Sequence, residues 1–249
     1  MCGRFTLRQD ADRLSSDITR LLEDVVISPD LLSLGTRYNI RPTETALVIR
    51  QHGQQLQLGR SAWGFRPPWM TDAYMKQAKR GPFINARSET LFEARAFSDA
   101  GRQNRCLVLA DGFYEPKGDK GTQREQHFFQ RASTELIAFA GIETAFPQPT
   151  QNHSTANFAI LTCAPNGQVA PVHHRMPVIL APETWTTWLA QTTGEVALTA
   201  LMVPWAGEPL DTWRVSTLIN QRDAEGPACV APYKEAVSQA QPAAQGSLF

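Results

Sequence analysis

A cysteine directly follows the initiator methionine, in the run Met1-Cys2-Gly3-Arg4-Phe5. Methionine is commonly removed before a small residue, and its removal here leaves an α-amine and a thiol on adjacent carbons. That pair condenses with an aldehyde to a five-membered thiazolidine. Reference pKa values of about 7.7–8.0 for the amine and about 8.5 for the thiol leave useful fractions of both nucleophiles near neutrality. Such chemistry needs proton transfer, and two side chains are candidates. Glu115 ends an apolar run, where partial burial raises a carboxyl pKa toward the working range, and His173 is the second candidate. Asn85 offers an amide that hydrogen-bonds a sugar oxygen without adding a competing proton site. Each has a plainer alternative: an ordinary second residue, an exposed strand end, a loop histidine beside Pro171, and a turn asparagine.

The elements that must position these groups are mostly short strands. Residues 9–24 place Leu14, Ile18, Leu21 and Leu22 at helical spacing and predict an amphipathic helix. Strands are predicted over Ala46–Arg50, Leu56–Phe65, Arg105–Tyr114, His127–Arg131, Leu136–Ile142, Asn157–Ala164 and Val178–Leu180. Glu89–Asp99 reads as a helix, and Pro182-Glu183-Thr184 opens another that carries Trp185, Trp188 and Leu189. The pattern implies an α+β fold: one domain of mostly antiparallel, barrel-like sheet with a few peripheral helices, over residues 1–232. Residues 146–157 read as an exposed loop, and 233–249 as a flexible tail, uncharged from about Ala236 onward.

Composition narrows the class further. A chain of 249 residues with 42% hydrophobic and 19% charged residues is ordinary for a soluble globular protein. No apolar stretch reaches membrane-spanning length and the N-terminus lacks a signal-peptide core, so a cytoplasmic monomer without membrane contact is expected. Cys2, Cys106, Cys163 and Cys229 lie too far apart for a zinc site or a disulfide framework, and no metal or cofactor is expected. Net charge is zero, yet residues 1–105 hold 16 Lys and Arg against 11 Asp and Glu, and the remainder 8 against 13. With 19 Arg to 5 Lys overall, a local basic groove is permitted.

The motifs Cys2-Gly3-Arg4-Phe5, Arg37-Tyr38-Asn39-Ile40-Arg41-Pro42, Trp63-Gly64-Phe65 with Pro67-Pro68-Trp69, Ile84-Asn85-Ala86-Arg87-Ser88-Glu89-Thr90, Asp111-Gly112-Phe113-Tyr114-Glu115 and Val172-His173-His174-Arg175-Met176-Pro177 occur in this order. The series resembles the SOS response-associated peptidase (SRAP) family, from Cys2 to about Asn220. The resemblance implies a covalent cross-link to abasic sites in single-stranded DNA through Cys2, after self-processing of Met1. It implies that Glu115 acts near the amine in Schiff-base formation and reversal, that His173 assists opening of the sugar ring, and that Asn85 lies beside the cross-link. Arg4 and Arg87 are implied phosphate ligands; Arg41 and Arg175 are phosphate ligands or members of structural ion pairs. Trp69 stacks against a base or packs in the core. Pro116 stands where the family often carries tryptophan, which alters the stacking surface next to Glu115.

Two other function classes compete. An N-terminal-nucleophile amidohydrolase also begins Met-Cys-Gly and would release ammonia from glutamine. A non-catalytic DNA-binding adaptor would bind DNA without a species that survives denaturation. The segment Gln245-Gly246-Ser247-Leu248-Phe249 resembles the bacterial sliding-clamp binding pentapeptide, with Gly246 replacing the usual leucine. Gln245, Ser247, Leu248 and Phe249 are the residues that would reach a clamp cleft, since nothing local buries the two apolar ones.

Overall fold

Short apolar runs separated by glycine, proline and polar turns pair here into two sheets with the core between them. The computed structural model describes residues 2–32, 35–118, 124–133, 135–144 and 156–234. Chain order begins β1 (Arg4–Leu7), α1 (Ala11–Leu21), β2 (Val25–Val26), α2 (Pro29–Leu32), β3 (Arg37–Ile40), β4 (Thr45–His52) and β5 (Gln55–Trp63). It continues with α3 (Asp72–Ala78), β6 (Asn85–Arg87), α4 (Ser98–Gln103), β7 (Arg105–Ala110), β8 (Gly112–Lys117) and β9 (Glu125–Arg131). Then come β10 (Ile137–Glu143), β11 (Asn157–Cys163), β12 (Met176–Pro177), β13 (Ile179–Leu180), α5 (Trp185–Leu189), α6 (Glu195–Leu201) and β14 (Leu210–Val215).

The smaller sheet has the order β14-β9-β8-β1-β3, and the larger runs β12-β11-β10-β7-β4-β5-β2. In the larger sheet β11 also pairs in parallel with β5, so the pairing turns back on itself as a ring. Phe5, Trp63, Phe113 and Phe139 are all fully buried between the sheets, with Phe5 centred 5.2 Å from Trp63 and 5.8 Å from Phe139. Inside the larger sheet Arg50 and Glu143 form a buried two-pronged ion pair, Nε to Oε2 at 2.7 Å.

The expected α+β architecture with few helices is what forms. Where details depart, a tertiary cause is visible. Arg105–Tyr114 is not one strand: Asp111 breaks it, and β7 joins the larger sheet while β8 joins the smaller. Asp111 turns the chain because its carboxylate is spoken for, accepting from Thr6 Oγ1 at 2.5 Å, the Arg8 amide at 2.5 Å and Arg8 Nε at 3.0 Å. The predicted helix over Glu89–Asp99 is instead a short 3₁₀ turn at Ser88–Thr90 followed by turns, with α4 starting only at Ser98. Asn157, read both as the end of the loop and as the start of a strand, lies in β11; residues 146–155 of the predicted loop, like the tail from residue 235, fall outside the described residues. β1, β2, β3, β6, β12 and β14 are not among the predicted strands; five of the six have four residues or fewer.

Thr6 is fully buried, so the Asp111 carboxylate satisfies donors that water cannot reach. Asp111→Ala strands those donors and unpairs Arg8, a loss on the order of 3 kcal/mol in unfolding free energy. Urea denaturation measures it; a change below about 0.5 kcal/mol would show that Asp111 does not hold β1 in place.

Candidate functional site

β1 lies inside the smaller sheet, between β3 and β8, in the register Arg4 to Tyr114, Phe5 to Phe113 and Thr6 to Gly112. That register carries the chain toward Cys2 alongside the second half of β8, where Glu115 sits. Cys2 is fully buried, and its thiol points at the Arg4 carbonyl oxygen, 3.8 Å away. Burial first, and the neighbouring Glu115 carboxylate second, push the thiol pKa far above its ordinary range. The enclosed sulfur is therefore a thiol, and becomes a nucleophile only by giving up its proton to a nearby base.

Glu115 is fully buried, and burial pushes its carboxyl pKa up to about 8, with Arg124 acting in the opposite direction. His173 approaches it: Nδ1 lies 3.3 Å from Glu115 Oε2 and 3.0 Å from the Arg175 carbonyl oxygen. Burial lowers the His173 pKa. A protonated Glu115 donates to Nδ1, and an ionised one accepts from Nδ1–H. Either way the contact is a proton route between a carboxyl raised by burial and an imidazole lowered by it. His174 is exposed and stacks at a tilt on His173, centroids 4.4 Å apart.

Asn85 and Arg87 enter on β6, which pairs in parallel with β11, Asn85 to Ile160 and Arg87 to Thr162. Asn85 Nδ2 donates to the Ile160 carbonyl at 3.4 Å, while its Oδ1 is buried with no hydrogen-bond partner among the described residues. A buried amide oxygen left without a donor costs stability, so it marks an acceptor position open to a ligand hydroxyl or amine. Arg175 joins the two parts of the site, donating to the Thr162 carbonyl at 2.5 Å and pairing with Glu89 at 2.6 and 2.8 Å.

The cations differ in their commitments. Arg41 is engaged by Glu44, with Nη2 to Oε1 at 2.5 Å and Nε to Oε1 at 2.8 Å, and Arg175 by Glu89, so both serve structural ion pairs. Arg4 has no carboxylate partner among the described residues; it bonds the amide oxygens of Asn39 at 3.2 Å and Asn220 at 3.4 Å. Burial and the nearby Arg41 lower its pKa. Arg87 is exposed. Trp69 is half-buried, edge-on to Tyr74 with centroids 5.3 Å apart, and the Arg95 guanidinium lies 5.6 Å from its ring.

Sequence reasoning missed the residues that support Arg4. Asn39 is fully buried and donates to the carbonyls of Ile219 and Ala224, at 3.1 and 2.9 Å, while receiving Arg4. Its place inside the Arg37–Pro42 motif was the available signal. Asn220 comes from a 3₁₀ turn, Thr217–Asn220, far along the chain, and gave no signal. Among the described residues no group of His, Cys, Asp or Glu could hold a metal ion, and no helix is long and apolar enough to cross a membrane.

Two mostly antiparallel sheets with an N-terminal strand threaded into the smaller one, and a buried Glu–His pair at its end, define the class. Residues 1–222 match the SOS response associated peptidase (SRAP) family, and the chain belongs to it. A similar protein is "Abasic site processing protein YoqW" of Bacillus subtilis, 31% identical over 233 residues, covering 92% of this chain and 99% of that one. "Abasic site processing protein YedK" of Escherichia coli is 30% identical over 196 residues, 77% of this chain and 80% of the relative. A solved protein from Bacteroides thetaiotaomicron shares the fold with a TM-score of 0.78 at 18% identity, covering 94% of this chain and all of that one.

The raised pKa of Glu115 has a thermodynamic signature. Between about pH 5 and 8 the folded protein keeps a proton that the unfolded chain has released, so stability falls as pH rises. The contribution is up to about 1.4 kcal/mol per pH unit and levels off above about 8. Glu115→Gln removes it, so the variant gains on the wild type steadily across that range in urea unfolding. Parallel pH profiles for the two proteins would show that Glu115 titrates normally.

Proposed function

We propose that this protein captures abasic sites in single-stranded DNA as a covalent thiazolidine on Cys2, shielding them. The observation that carries this reading is the position of the Cys2-bearing strand against a buried Glu115 in contact with His173. Membership of a family whose relatives are named abasic site processing proteins supports it.

The chemistry balances without cofactor or oxidant. Removal of Met1 makes the Cys2 amine the chain terminus. The free amine adds to the open-chain aldehyde of the abasic deoxyribose, giving a carbinolamine. Loss of water leaves an imine, and the Cys2 sulfur then adds to the imine carbon while its proton passes to the nitrogen. Ring closure is intramolecular, so it proceeds at a high effective concentration. Glu115 serves this sequence as an acid that protonates the departing hydroxyl and as the base that accepts the thiol proton. His173 exchanges protons with Glu115 through Nδ1 and assists opening of the sugar ring. The open acceptor at Asn85 Oδ1 holds a sugar hydroxyl or the Cys2 amine. Arg4, steadied by Asn39 and Asn220, and the exposed Arg87 neutralise flanking phosphates. Trp69 presents a ring for a neighbouring base.

Cys2→Ala, or a chain that retains Met1, will form no adduct with abasic single-stranded DNA that survives a denaturing gel; an unreduced adduct of equal yield from Cys2→Ala would rule out the thiazolidine. Glu115→Gln and His173→Ala will slow formation and reversal by roughly 10²–10⁴-fold with near-normal DNA affinity. Arg87→Ala will instead weaken binding and make its salt dependence shallower by about 0.7 in log–log slope, one phosphate contact. Gln245–Phe249 lies outside the described residues and carries a separate proposal, that the tail beyond residue 232 reaches a sliding clamp. Deleting Leu248 and Phe249 will abolish binding to a purified bacterial clamp and spare the cross-link, whereas equal binding by both proteins would refute it.

A further inference from the structure

Residues 66–82 leave the sheet between Phe65 and Phe83. These two close on each other, Phe65 N–H to Phe83 O at 2.8 Å and Phe83 N–H to Phe65 O at 3.0 Å. Helix α3, at the centre of this excursion, buries none of its residues, whereas α1 buries Leu14 and Ile18. A seven-residue helix has little stability of its own, and α3 gains none from an apolar face. It is held instead at its ends: Thr71 caps it by accepting from the Tyr74 amide at 3.2 Å, and buried Met70 anchors the turn before it.

The other end is unusual. Lys79 occupies the left-handed region at φ 48°, its amide bonding the carbonyls of Lys76 and Met75. Glycine takes that conformation with less strain, so the lysine is retained at a cost to the fold. Lys76, Lys79 and Arg80 lie at and just beyond this end of the helix, all exposed. Among the described residues none of the three side chains is in an ion pair or hydrogen bond, and Arg80 lies on the Phe83 ring at 4.9 Å. Asp72 is the one acid between residues 66 and 83, and Arg66 pairs with it at 2.5 Å. Trp69, before the helix, meets the 37%-exposed Tyr74 of α3 edge-on. From Phe83 the chain runs directly into β6, which carries Asn85 and the exposed Arg87.

We infer that this excursion is a second phosphate-gripping surface, in which Lys76, Lys79 and Arg80 hold the DNA backbone beyond the nucleotide that reacts at Cys2. The inference rests on the DNA-capture reading above and extends it. A polyanion suits the surface on charge: three unpaired cations follow one another toward Arg87, with aromatic rings beside them for bases. A helix that buries nothing and a strained lysine both fit a surface kept for a partner.

The test uses the full chain carrying Lys76→Gln, Lys79→Gly and Arg80→Gln together, beside Lys76→Gln alone. Each is bound to a fluorescent single-stranded abasic oligonucleotide across a salt series. For the triple variant, affinity at low salt should fall at least about tenfold and the log–log salt slope become shallower by about 2, the loss of three single-strand phosphate contacts. Lys76→Gln alone should account for about a third of the slope change. Adduct yield at saturating DNA should match the wild type. The melting temperature should be unchanged or higher, because Lys79→Gly relieves strain. Wild-type affinity and slope in the triple variant overturn the inference, as does a lowered affinity accompanied by a lowered melting temperature in both variants. A wild-type protein that binds the oligonucleotide and forms no adduct sinks the capture reading and leaves this surface standing.

Discussion

The first strand of the chain is held in the interior of a sheet, and the site depends on that placement. β1 has neighbours on both sides, β3 and β8, and its far end is fastened where Asp111 takes up the Thr6 hydroxyl and the Arg8 amide. A strand so held cannot slide by one residue without turning Phe5 out of the core and Arg4 into it. Cys2 therefore has a defined position beside Glu115, although it lies almost at the end of the chain, where fraying is the usual expectation.

Desolvation then sets the chemistry. The same burial that raises the Glu115 pKa to about 8 lifts the Cys2 thiol and depresses His173. All three shifts favour neutral groups, which are the forms that donate and relay protons rather than repel one another. Fixed charge sits further out. Arg41 and Arg175 are matched to Glu44 and Glu89, whereas Arg4 rests on neutral amides and so keeps its positive charge uncompensated at the edge of the site. This division between structural and uncommitted arginines is the electrostatic outline expected around an anionic substrate.

Much of the candidate site was legible from the sequence because its candidate residues lie in compact motifs. Cys2, Glu115 and His173 could be named from their chemistry and from the resemblance, and the structure brings them together. Strands β1, β3 and β6, which place Cys2, Asn39 and Asn85, were not legible. Each has only three or four residues, and long-range pairing places them, β1 between β3 and β8 and β6 beside the apolar β11, a tertiary effect that local pattern cannot report. Arg105–Tyr114 read as one strand because apolar residues dominate it on both sides of Asp111-Gly112; the break at Asp111 answers to Thr6 and Arg8, a hundred positions away in the chain. The support of Arg4 by Asn220 was invisible for the same reason, whereas Asn39 lay inside a motif already singled out.

The most direct measurement of the central claim is peptide mapping, by mass spectrometry, of the protein after reaction with abasic single-stranded DNA and treatment with a thiol-alkylating reagent. The account predicts a modified peptide that begins at Cys2, lacks Met1, and carries the nucleotide remnant at the mass of the two reactants less one water. Its Cys2 sulfur will be closed to alkylation without any prior reduction. A remnant found on a lysine, or a Cys2 thiol that still alkylates in the adduct, would contradict it.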